Sequence, residues 1–536
     1  MHLITIRILH FMKIKILILL LFASFMANAQ NISVSGLQSG VWNADTVFVA
    51  GDVFVQDSLH IMAGTTVLFN SFFGITIENG ATLKAIGTAA DSIVFTVTDT
   101  TGFHIFNSGR GGWNGIRLNK AGNTKFDYCK FQYGKAALDH DQDGGALRVF
   151  NSDEVEISHS TLYSNFSREH GGALSAVKSN VAIRDCDVCN NQTYTGLDTV
   201  YAMYGGGMRF LNCKVEITGS NFLYNNGQNA VGGALSLDSC AVLIDRCRFE
   251  HNYGINGAGL YLIRSNDWEC RISNSLFANN TSGHFGGGLA ISDSSPLVSN
   301  LTVVNNHSIG VNCGGIFFYQ YSSPEVWNCI VYGNTNEVLP EKPVQMWAWT
   351  YDEHAPKFHN CLVQFGLENI SGNDVISVYE NSLDEDPLFD DAFFHIGENS
   401  PCLNAGSPET PDVILNGLDL AGRPRVLGDH IDIGAYEVSL AGVDENTENE
   451  QPVRIVGNPI TASSYAEIEL KEAGKMVAKV YSTEGKLLKN VDLGLLPSGL
   501  HHVALGNLME SLSGGIYLLV IQNGQNTWVS KMIKPL

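Results

Sequence analysis

Three short stretches of this chain combine residue types that do chemistry. The first is Asp139-His140-Asp141-Gln142-Asp143-Gly144. Alternate carboxylates followed by glycine suit a Ca²⁺ loop, because hard oxygens converge on the ion while the glycine permits the sharp turn. Asp139, Asp141 and Asp143 are therefore candidate metal ligands, with a solvated acidic turn as the plain alternative. The bidentate acid that closes an EF-hand loop would fall at Phe150, so the full motif is missing. The second stretch, Arg168-Glu169-His170, holds groups suited to acid and base work, and all three are candidate catalytic residues. Asp143 and Glu169 also form a pair of the type glycosidases use, which requires a separation of roughly 5–9 Å. The third is a polar-aromatic loop with Tyr194, Asp198, Tyr201 and Tyr204, candidate substrate-binding residues whose ring faces suit sugars.

A repeat must position these stretches. The aliphatic that follows a glycine pair falls at Leu147, Leu174, Met208, Leu235, Leu260, Leu289 and Ile316, at intervals of 27, 34, 27, 25, 29 and 27 residues. The long interval contains the polar-aromatic loop. A second column fixes the register: Ile157, Ile183, Ile217, Ile244, Ile272, Val298 and Val326 each lie eight residues before Asn165, Asn191, Asn225, Asn252, Asn280, Asn306 and Asn334. Asn tolerates left-handed backbone, and its amide both donates and accepts, so identical turns stack Asn on Asn. Helical repeats fit badly, because no 3.6-residue period accompanies the glycines. Parallel strands about 4.8 Å apart fit well, and they bring the loops between each Asn turn and the next glycine pair to one edge.

This pattern resembles a right-handed parallel β-helix of the pectate-lyase-like kind, with Trp42–Thr98 and Gly112-Trp113-Asn114-Gly115-Ile116 similar to opening coils of secreted bacterial examples. Polysaccharide lyases of that fold use Ca²⁺ to neutralise a uronate carboxylate while a basic residue removes the C5 proton. The resemblance thus implies a metal at Asp139, Asp141 and Asp143 and a base at His170 or Arg168. The motifs Asp386-Pro387-Leu388-Phe389, Ser400-Pro401-Cys402-Leu403-Asn404-Ala405-Gly406 and Asp432-Ile433-Gly434-Ala435-Tyr436-Glu437 are similar to a choice-of-anchor Q region. The aromatic cluster Trp347-Ala348-Trp349-Thr350-Tyr351 lies where the coils stop, and covering the solenoid's open end is its expected role, with sugar stacking as the other reading.

The two ends read as addresses. Arg7, Lys13 and Lys15, the apolar run Ile14–Phe25 and the small-x-small site Ala27-Asn28-Ala29 make a signal peptide. Its uncharged stretch is shorter than the ~20 residues of a spanning helix. Near the C-terminus, Asn458-Pro459, Val480-Tyr481-Ser482, Gly485-Lys486, Ser513-Gly514-Gly515-Ile516-Tyr517 and Lys531-Met532-Ile533-Lys534 resemble a type IX secretion C-terminal sorting domain. Gly457 stands where that family usually has an aromatic. The resemblance implies the type IX machinery as a partner and release or attachment at the outer surface.

Composition narrows the function. The chain has 536 residues and a net charge of −22, with only 16 % charged residues and 44 % hydrophobic. Such a chain folds, and it lacks the basic face that nucleic-acid binding needs. The eleven cysteines would signal disulfides in an exported protein. Yet Cys129, Cys186, Cys247, Cys329 and Cys361 each follow an inward hydrophobe by three residues, in a slot that Ser160, Ser220, Ser275 and Leu301 also fill. They read as small packed residues, although one pair in adjacent coils has room to bridge.

The expected fold is therefore all-β: a right-handed parallel β-helix solenoid followed by a small C-terminal β-sandwich. The expected segments are a signal peptide 1–29, a cap with the first coils 30–125, repeats 126–383, a choice-of-anchor Q-like region 384–440, a linker 441–452 and a sorting domain 453–536. The expected function is binding of extracellular polysaccharide by an exported, secreted or surface-attached protein through loops on one edge. The alternative is a calcium-dependent lyase on a uronate-containing glycan. Ca²⁺ is the one cofactor indicated, and no membrane-spanning segment is expected in the mature chain.

Overall fold

The fold is a computed structural model. It describes residues 31–438, apart from 140, 195–202, 311–312, 339–343, 352, 373–374, 408 and 412–416, and residues 453–534, apart from 457–459, 461–463, 471–473, 483–486, 510–511, 513–514 and 524–525. The signal peptide, the linker, His140, Asp198, Tyr201, Gly457-Asn458-Pro459, Gly485-Lys486 and Ser513-Gly514 lie outside the described residues.

Short strands alternate inward and outward residues, and each pairs in parallel with its counterpart one coil away. In the first column Ile116–Asn119 pairs with Leu147–Phe150, then Leu174–Val177, Met208–Leu211, Leu235–Asp238, Leu260–Ile263, Leu289–Ser292, Ile316–Gln320 and Met346–Thr350. The repeated aliphatics are register partners in this column, and all face a continuous core. A second column runs from Thr124–Asp127 to Val378–Glu380 and a third from Cys129–Gln132 to Leu362–Val363. Phe222, Phe249 and Phe277 stack in the interior at 4.8 and 4.6 Å. Each fully buried Leu or Phe contributes roughly 1.5–3 kcal/mol.

Polar ladders close the corners. Asn165 Nδ2 donates to Asn191 Oδ1 at 2.9 Å, and the same bond repeats through Asn225, Asn252, Asn280, Asn306 and Asn334 to Gln345. Each of these Asn also donates to a backbone carbonyl of the preceding coil, such as Asn252 to Phe222 at 2.9 Å. The left-handed residue is one position earlier than the sequence indicates: Ser164, Asn190, Tyr224, His251, Asn279 and Asn305 have φ between 53 and 57°. The amide must point inward to stack, so its neighbour absorbs the turn. At Gly171 (φ 60°) an added Cβ would lie 2.0 Å from the Leu174 carbonyl, which explains the glycine pair that opens each strand.

Cys129, Cys186, Cys247, Cys329 and Cys361 occupy a second ladder. All eleven cysteines are buried. The slot side chain accepts the N–H of the preceding coil whether it is Ser or Cys: Cys186 N donates to Ser220 Oγ at 3.1 Å, and Cys329 N to Cys361 Sγ at 3.5 Å. Thiols here are therefore hydrogen-bonding rungs as well as packing.

The chain forms two compact units, with 405–426 and 430–436 joined to the β-helix unit and 386–404, 427–429 and 437–536 forming the other. Within the first, the late segment straps back over the coils. Ser407 N donates to Asn328 Oδ1 (2.8 Å), Ala435 N to Thr302 Oγ1 (3.0 Å), and Arg248 Nη1 to the Tyr436 hydroxyl (3.1 Å). The second unit contains a three-stranded sheet (Val453–Val456, Tyr465–Leu470, Gly499–Ala504) and a four-stranded sheet (Leu487–Leu496, Gly474–Ser482, Gly515–Asn523, Asn526–Lys534), both antiparallel around a separate core. The fold class is the one the sequence predicts. Among the described residues, no helix is long and apolar enough to cross a membrane.

Candidate functional site

The edge loops stack as the repeat predicts, held by backbone bonds between coils. Gly144 N donates to His170 O (2.8 Å), Glu169 N to Gln142 O (3.1 Å), and Gly171 N to Tyr204 O (3.0 Å). These bonds set the loops that carry Asp143, Glu169 and His170 over the first strand column.

The three aspartates do not converge. Asp141 is buried and accepts from Arg117 Nε at 2.7 Å, with Arg148 Nη1 at 3.8 Å from its other oxygen. Asp139 is exposed and pairs with Arg168 Nη1 at 2.6 Å. Of the three, Asp143 is the one that meets Glu169 and His170 of the next loop. One ligand atom each of Asp143, Glu169 and His170 lies within 4.8 Å of the others, the one such His/Cys/Asp/Glu group among the described residues. Asp143 Oδ1 is buried and accepts no hydrogen bond.

Environment separates the roles of this cluster. Glu169 is exposed at its surface, and partial desolvation by the loops around it, reinforced by the nearby Asp143 charge, raises its carboxyl above the ordinary value, with Arg168 only partly opposing this. Burial lowers the His170 imidazole, with Asp143 opposing the shift and Arg209 reinforcing it. His170 Nδ1 accepts the Tyr204 N–H at 3.2 Å, so the neutral ring carries its proton on Nε2. A metal at Nε2 would require that proton on Nδ1, facing an N–H donor. The imidazole is therefore a poor metal ligand, and the two carboxylates left fall well short of the six to eight oxygens Ca²⁺ takes.

Of the remaining candidates, Tyr204 stacks edge-on against His170 at 5.5 Å, while Tyr194 turns away to Phe106 at 4.2 Å. Asp198 and Tyr201 lie outside the described residues. Three arginines escaped the sequence reading. Arg117, Arg148 and Arg209 each follow an inward aliphatic by one residue and so share a single outward row, in register with Ser175 and Ser236. The signal was present in Ile116-Arg117, Leu147-Arg148 and Met208-Arg209. Burial lowers the Arg117 guanidinium, against which Asp141 is the chief compensation. The arrangement is a carboxylate pair with one acid held toward its neutral form, beside a row of guanidinium groups.

No curated protein matches the chain. Among solved structures it is similar to the enzymatically active domain of tailspike protein 4 of bacteriophage CBA120, at 12 % identity and a TM-score of 0.23. That match covers 90 % of this chain and 62 % of the tailspike chain, so it spans about three fifths of that relative's length. The family model for the right-handed β-helix region matches residues 41–382, well over half of the chain, and the chain belongs to that family.

Proposed function

We propose that the chain acts on an extracellular acidic polysaccharide, bound across the edge loops and cleaved by hydrolysis at Asp143 and Glu169. The observation that carries this reading is the approach of those two carboxylates within 4.8 Å, with Glu169 raised. In the mechanism, Asp143 attacks the anomeric carbon as Glu169 protonates the departing glycosidic oxygen, and a water deprotonated by Glu169 then displaces Asp143 and frees both carboxyl groups. A pair this close fits a retaining route, because an inverting enzyme leaves room for water between carboxyl groups roughly 6.5–9.5 Å apart. Arg148, whose side chain is partly exposed, favours an anionic sugar, which offsets the repulsion expected from the chain's net charge of −22. His170, fixed by the Tyr204 N–H, is a positioning residue for the pair.

Calcium-dependent elimination is the second reading. The Asp143–Glu169–His170 group favours it as the one cluster at ligand distance among the described residues. The arginine partners of Asp139 and Asp141 and the tautomer of His170 weigh against it. Export is part of the proposal, through the signal peptide and the type IX-like C-terminal segment. The antiparallel sheets of that segment suit a sorting domain.

The test is incubation of the full chain with uronate-containing polysaccharides, following both new reducing ends and absorbance near 235 nm. Hydrolysis predicts reducing ends without the chromophore, unaffected by EDTA and lost in Glu169→Gln. A calcium-dependent chromophore would replace hydrolysis with elimination. Binding without turnover would reduce the protein to a scaffold.

A further inference from the structure

The late coils carry a second feature that the cleavage pair does not use. Strand alternation decides where the Trp347–Tyr351 cluster points. Met346 and Ala348 face the core, while Trp347 and Trp349 face outward from the first column. The cluster therefore lies on the sheet face and does not plug the solenoid's end. Around it, Trp349, Tyr321 and Tyr351 are 49, 43 and 38 % exposed.

These rings are held in place by their edges. Tyr319 meets Trp349 at 5.7 Å and Tyr351 at 6.1 Å, and Tyr321 meets Tyr351 at 6.1 Å and His354 at 5.5 Å, all edge-to-face. Beneath them Phe317, Ala290, Cys313 and Val344 form a small apolar cluster separate from the main core, with Trp347 and Tyr319 packed against it. Polar groups border the rings: Asn266 Nδ2 donates to Tyr321 O at 2.9 Å, and Ser323 Oγ meets His354 Nδ1 at 3.1 Å. Fixed ring faces beside hydrogen-bonding groups suit a pyranose, which offers an apolar C–H face and a polar rim.

The platform is continuous with the site described above. Tyr319 and Trp349 share an outward row with Phe150, Val177, Leu211, Asp238, Ile263 and Ser292, two residues along each strand from the row of Arg148 and Arg209 and joined by unbroken register. Five coils separate Leu174–Val177 from Ile316–Gln320, about 24 Å at the usual strand spacing. We propose that Tyr319, Tyr321, Trp349 and Tyr351 form a second glycan-binding site, which stacks pyranose rings of a polymer lying along this face. The assignment of the polymer rests on the cleavage reading, whereas the ring-stacking role does not.

The experiment uses full chain carrying Asp143→Asn and Glu169→Gln, so that nothing is cleaved. Trp fluorescence and calorimetry follow binding of hexamers of β-1,4-glucan, β-1,4-xylan and α-1,4-galacturonan. The expected result is saturable binding of at least one hexamer, weakened tenfold or more by Trp349→Ala with Tyr321→Ala and largely kept by Trp349→Phe, with an unchanged melting temperature. Binding indifferent to the rings, or no binding of any hexamer, would overturn the platform. Ring-dependent binding without any turnover by the wild type would remove the cleavage reading and keep the platform, and turnover with ring-indifferent binding would do the reverse.

Discussion

The two ends of one sheet face solve different problems on the same backbone. In the early coils the outward row presents arginines, and a loop closes over them: the Arg117 side chain is 6 % exposed and Asp141 10 %. In the late coils the neighbouring outward row, two residues along each strand, presents rings that stay open to solvent, and Trp349 is 49 % exposed. Register is continuous between them, so the inward aliphatics and the Asn and Ser/Cys ladders set the coil, and the outward positions are free to vary. The difference is one of desolvation. Charges under a loop must be paired and can have their proton affinities shifted, whereas exposed rings contribute contact area and little to folding.

Several substitutions would break or sharpen that contrast. The largest effect falls on turnover: Glu169→Gln should lower cleavage about 10³-fold, the range of a lost general acid, with little change in binding. Next is stability at the charged end. Asp141→Ala should cost on the order of 4 kcal/mol in denaturant unfolding, because it leaves Arg117 buried without its carboxylate. That loss should be the same with and without calcium and should change little with added salt. At the ring end, Trp349→Ala should shift unfolding by less than about 0.5 kcal/mol while weakening glycan binding. The smallest effect is on pH. Burial lowers the His170 imidazole in the folded state, so the unfolded chain takes up the proton first as pH falls below 6.5, and stability is lost there. His170→Gln should flatten that part of the melting-temperature profile. Glu169 works in the opposite direction: its raised carboxyl penalises the folded state above its own titration and relieves that penalty as pH falls. Glu169→Gln should therefore be more stable than the wild type at neutral pH.

Much of the coil was legible because it repeats. The aliphatic column, the Asn column and the shared Ser/Cys slot each recur at fixed offsets, and each is a rung in the fold. The left-handed position was displaced by one residue, since spacing cannot say whether an Asn turns the chain or stacks its amide. The candidate site was less legible. The sequence showed Asp139, Asp141 and Asp143 as equivalent alternate acids, but pairing with Arg117 and Arg168 depends on side chains from other coils. The guanidinium row was readable as the residue after each aliphatic, yet its members stand in coils far apart in sequence. Met346-Trp347-Ala348-Trp349 carried its answer openly, because alternation alone sends both rings outward.

The most direct test of the central claim is the anomeric configuration of the first product, followed by proton NMR as wild-type chain cleaves an acidic polysaccharide. The account predicts a new reducing end with retained configuration, and no such product from Glu169→Gln. An unsaturated product, or undiminished turnover by Glu169→Gln, would contradict it.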